Sequence, residues 1–95
     1  MPREHELVWH EDAAAEFAAF LKRRKDRDGV RECVERHLFS IADNIVMAQP
    51  WEGPADFKIH LFQCQDGKVK LYLRAILELL PDGRVGVLNC GSILF

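Results

Sequence analysis

FKIHLFQCQDGKVKLYLRAILELLPDGRVGVLNCGSIL, residues 57–94, decides the fold. Asp66-Gly67 and Asp82-Gly83 cut it into three apolar segments, 57–63, 68–80 and 84–89. Asp-Gly between apolar runs signals a hairpin, because glycine accepts positive φ and aspartate tolerates it. The spacing predicts an antiparallel meander. On its long middle strand Val69, Leu71, Leu73, Ala75, Leu77 and Leu79 share one face by the two-residue period, and Lys70, Tyr72, Arg74, Ile76, Glu78 and Leu80 share the other. The apolar face needs a cover, and the material for it lies upstream.

Upstream, Leu7-Val8-Trp9 is short and apolar enough to add an edge strand. From 13 to about 25 the pattern is helical, with Ala13, Phe17, Phe20 and Leu21 at three- and four-residue spacing and the carboxylates of Glu11 and Asp12 at the positive end of the helix. The basic run Lys22-Arg23-Arg24-Lys25 closes it, 26–29 reads as a break, and a second helix over about 30–46 buries Val30, Val34, Leu38, Ile41 and Ile45. Pro50 and Pro54 mark 48–56 as a linker. The expected fold is α+β: an N-terminal helix hairpin (about 12–47) packed on one face of a three- to four-stranded antiparallel sheet, as a single domain over 1–95.

Composition narrows the class. With 48% hydrophobic and 29% charged residues the chain is globular, and it has no apolar run of membrane-spanning length, so no membrane partner and a cytoplasmic location are expected. A net charge of -2 supplies no global field for nucleic acid, although residues 22–36 hold seven cations against four carboxylates. Cys33, Cys64 and Cys90 are odd in number and widely spaced, so reduced thiols are expected, and neither a metal site nor a cofactor. Cys33 and His37, four apart on a helix, could share a metal, but two ligands do not make a site.

The stretch Leu71-Tyr72-Leu73-Arg74-Ala75, continued through Leu80-Pro81-Asp82-Gly83-Arg84-Val85-Gly86-Val87-Leu88, resembles the arginine-bearing strand, turn and final valine-rich strand of the RelE/ParE-like toxin superfamily. Leu7-Val8-Trp9 followed by Glu11-Asp12-Ala13-Ala14 is similar to that family's first strand and helix. The resemblance implies a small cytoplasmic toxin acting on ribosome-bound mRNA or on gyrase, neutralised by a cognate antitoxin, and an endoribonuclease if it is catalytic. Arg74 matches the family's sheet arginine, with Tyr72 beside the implied cleft and Lys58 and Arg84 as further matches. The family usually continues past its last strand with a basic and an aromatic residue; here 89–95 contains no cation.

Such chemistry needs a phosphate clamp and a proton-transfer group. Arg74 could clamp phosphate with Lys58 and Lys70 supplementing it, and His60 could move a proton near neutral pH, if the register sets them on one face with Tyr72. Lys22, Arg23, Arg24, Lys25 and Arg84 are candidates for contacting a phosphate backbone. A solvated sheet face and a solvated helix tip would show the same residues. The competing function is a non-catalytic interaction module (adaptor, immunity or inhibitor protein) that binds a partner or a second copy of itself through a strand edge, Trp51, or the apolar Ile93, Leu94 and Phe95.

Overall fold

The computed structural model describes residues 6–45 and 57–93. The elements run β1 (Leu7–Trp9), α1 (Glu11–Lys22), α2 (Arg27–Asp43), β2 (Phe57–Asp66), β3 (Val69–Leu79) and β4 (Val85–Ser92). The strands form one sheet in the order β1-β4-β3-β2. Its meander is antiparallel as expected, whereas β1 runs parallel to β4, with Leu7 opposite Val85 and Trp9 opposite Val87. Running that way, β1 delivers the chain into α1 directly over β4, and Trp9 stacks on Phe17 with ring centroids 5.1 Å apart. The expected linker 48–56 with Trp51, and the tail residues Leu94 and Phe95, lie outside the described residues.

The first hairpin loop is Gly67-Lys68, flanked by the pair Asp66 and Val69. Gly67 has φ +62° and no residue other than glycine takes positive φ among the described residues. Positive φ at the first loop position alone is the type II′ pattern, whose twist suits paired strands. The aspartate has another use. Asp66 is only 6% exposed, and its carboxylate accepts from the backbone N–H of Asp26 (2.6 Å) and Lys25 (3.1 Å), tying the hairpin to the turn between the helices. Those two donors, with Arg24 and Lys25 charges nearby, hold its carboxyl below the ordinary range.

Both helix boundaries near that turn differ from expectation. α1 stops at Lys22 because the N–H groups of Arg23 and Arg24 bond to Phe20 and Leu21 oxygens, tightening the last turn. α2 starts at Arg27 because Asp26 caps it, accepting from Gly29 N–H at 3.2 Å. A Cβ at Gly29 would collide with that carboxylate, so this glycine serves the cap.

One core joins the layers. Phe17, Phe20 and Leu21 of α1 and Val30, Val34, Leu38 and Ala42 of α2 meet Leu71, Leu73, Ala75 and Leu77 of β3 and Val85 and Val87 of β4. Burying each large aliphatic side chain contributes about 1.5–3 kcal/mol. Val69, at the hairpin end of the predicted apolar face, is exposed.

The expectation of reduced thiols is corrected for one pair. Cys33 and Cys64 form a disulfide, with Cα atoms 6.0 Å apart, because α2 packs across β2. Cys90 stays free and buried, and desolvation pushes its thiol up to about 12.

Candidate anion-binding groove

β1 covers only Val85–Val87 of β4, so the remainder of β4 has a partner strand on one side only among the described residues. Ile93 N–H donates to Tyr72 oxygen at 2.9 Å. By the alternation of antiparallel pairs, Gly91, opposite Arg74, also bonds toward β3, and the N–H and C=O groups of Cys90 and Ser92 point away, to the open edge. That edge and the C-terminal half of α1 enclose an open groove of about 430 Å³ lined by Glu16, Phe20, Arg23, Arg24, Arg74 and residues 89–92.

The groove is positive. Arg74 stands on the sheet face away from the helices, but its opposite residue Gly91 has no side chain and a Cβ there would meet nothing within 4 Å, so Arg74 borders the same space as α1. Arg24 lies over the Phe20 ring, 4.4 Å from guanidinium carbon to centroid, and its buried Nε has no hydrogen-bond partner among the described residues. A buried guanidinium donor without a partner is costly, and an anionic oxygen satisfies it. No carboxylate lies within ion-pairing distance of Arg23, Arg24 or Arg74 among the described residues. Glu16 is the single acidic side chain of the lining.

The register separates the remaining candidates. Tyr72 and Arg74 share the outer face, opposite Gln63 and Leu61, whereas Lys58 and His60 pair with Leu77 and Ala75 on the helix-covered face. The combined Lys58, His60, Tyr72 and Arg74 surface is therefore absent. His60 instead meets His37 of α2, Nε2 to Nδ1 at 3.4 Å, and stacks on Phe62. Desolvation lowers both imidazole pKa values, with Arg36 adding to it at His37 and His37 adding to it at His60. Since Cys33 is disulfide-bonded, it offers no thiolate to share a metal with His37.

The basic run also divides. Arg23 and Arg24 enter the groove; Lys22 borders a different, largely apolar groove between the helices with Trp9, Phe17, Arg27 and Arg31; Lys25 serves the inter-helix turn. Arg84 is held in the last hairpin, its Nε 2.7 Å from Asp82, at the far end of β4 from the groove. Ile93 is half-buried and extends the pairing with β3.

Sequence reasoning missed the open edge at Cys90 and Ser92, the Asp66 anchor and the histidine contact. The first had a signal: an opening strand of three residues cannot cover a closing strand of eight. Among the described residues no helix is long and apolar enough to cross a membrane. No protein-family model, curated protein or solved structure matches this chain.

Proposed function

We propose that this chain is a toxin-type protein of the RelE/ParE-like kind that works in the cytoplasm by gripping mRNA, alone or on the ribosome, through the arginine groove. The observation that carries the reading is the convergence of Arg23, Arg24 and Arg74 on one groove in which Arg24 Nε lacks a partner. Guanidinium groups suit phosphate because they donate in pairs with fixed geometry, and outward backbone N–H groups of Cys90 and Ser92 can add to the grip. The reading is of binding rather than cleavage: His60 lies on the other face of the sheet, and the Cys90 thiol is pushed up to about 12.

The test is fluorescence anisotropy of a labelled single-stranded RNA across a salt series. Three phosphate contacts give a log–log salt slope of about -2, and R24A or R74A each flattens it by about 0.7 while weakening binding. Slopes unchanged in both folded variants would overturn the assignment.

The interaction-module reading has its own support in the outward backbone groups of Cys90 and Ser92. There a partner strand, from an antitoxin or a second copy, would extend the sheet. S92P removes one outward donor without touching the bonds to β3, and partner or dimer loss in a mass measurement on that variant would favour this reading.

A further inference from the structure

At the other edge of the sheet, under α2, the Cys33–Cys64 disulfide borders an open cleft of about 510 Å³. Arg36, one helical turn after Cys33, and Lys70, opposite Gln65 on β3, line the same cleft. Its acidic side chain, Asp26, is already engaged in capping α2. The two cysteines are unequally exposed, Cys33 half-buried and Cys64 only 4% exposed. The cleft thus offers a disulfide with one half-exposed cysteine and one buried one, next to two cations.

We propose that Cys33 is a site of reversible thiol–disulfide exchange with a small anionic thiol of the glutathione class, recruited by Arg36 and Lys70. The incoming thiolate attacks Cys33 Sγ; its bond to that sulfur forms as the bond to Cys64 breaks, and Cys64 leaves as a thiolate that takes a proton from water. A second thiolate attacks the sulfur of the bound thiol, releases Cys33 as a thiolate and departs as the small-molecule disulfide. Two electrons pass from two thiols to the protein disulfide, and the reverse sequence restores it. Arg36 and Lys70 raise the local concentration of the anionic reagent and stabilise the departing thiolate. The Gln63 carbonyl oxygen, 3.6 Å from Cys33 Sγ, can accept a hydrogen bond from the released thiol. Buried Cys90 takes no part. The site is independent of the arginine groove, so RNA binding and thiol exchange stand or fall separately.

The experiment treats the oxidised, folded chain with glutathione, 2-mercaptoethanol and cysteamine, which are anionic, neutral and cationic, followed by acid quench, intact mass and peptide mapping. Glutathione should add to Cys33 alone. Relative to the unaltered chain, R36Q and K70Q should each slow glutathione roughly two- to fivefold more than 2-mercaptoethanol, and cysteamine least of the three, because the departing thiolate is common to all and the added charge of the reagent is not. Using the ratio for each thiol removes differences in intrinsic reactivity. An adduct on Cys64, equal slowing of all three thiols, or persistence of the disulfide at millimolar glutathione would each overturn the proposal.

Discussion

Opening the Cys33–Cys64 bond should cost this fold about 3.7 kcal/mol at 25 °C, a value set by the sequence separation of 31 between the two cysteines. The cross-link removes about 12 cal/mol/K of loop-closure entropy from the unfolded chain, and reduction returns it. For 95 residues the unfolding entropy near the midpoint is about 200 cal/mol/K, so the melting temperature should fall by about 18 °C. Against a total stability of about 5–15 kcal/mol this is a large share. The assay is urea unfolding followed by circular dichroism, with and without a phosphine reductant, repeated on the Cys33→Ala, Cys64→Ala double variant. Both reduced forms should unfold at lower urea, with a somewhat larger denaturant dependence because their unfolded chains expand further. A difference under about 1 kcal/mol between oxidised and reduced protein would refute the loop-entropy reasoning.

Lowering the pH should destabilise the fold through His37 and His60. Both imidazoles are harder to protonate in the folded state, so the unfolded chain binds more protons below about pH 6.5, and stability is complete above that value and declines as pH drops toward the folded pKa values. His60→Asn should shrink the difference in unfolding midpoint between about pH 7.5 and pH 5.5; equal midpoints at both pH values in the unaltered chain would contradict this. Leu77→Ala empties a fully buried position on β3 and should cost about 3 kcal/mol in the same urea assay. Gly67→Ala forces a side chain onto φ +62° and should cost about 1 kcal/mol, read as a lower melting temperature; an unchanged melting temperature would mean the turn is not held as described.

What could be read from the chain follows from what each signal depends on. The alternation of Leu71, Leu73, Ala75 and Leu77 was legible because one-sided burial imprints a period of two, and the stripes of α1 and α2 because packing on a sheet imprints their spacing. Register was not. Whether His60 shares a face with Arg74 turns on a single residue in the Gly67-Lys68 loop, and slipping by one would move every side chain of β2 to the opposite side. The disulfide was hidden because distance along the chain says nothing of distance across a helix–sheet interface. The groove was hidden for a related reason: Arg23 and Arg24 meet Arg74 only around an edge that β1 leaves uncovered, so neither helix nor strand periodicity groups them.

The first strand to be synthesised is among the last to find its place. Among the described residues the strand partner of Leu7–Trp9 is Val85–Val87, so at about 5–20 residues per second a growing polypeptide carries it without that partner for about 4 to 16 seconds. Throughout that interval the Trp9–Phe17 contact lacks the floor that β4 supplies. The pace of translation therefore governs how long this segment of the nascent chain stays wet and open to chaperones or to neighbouring chains.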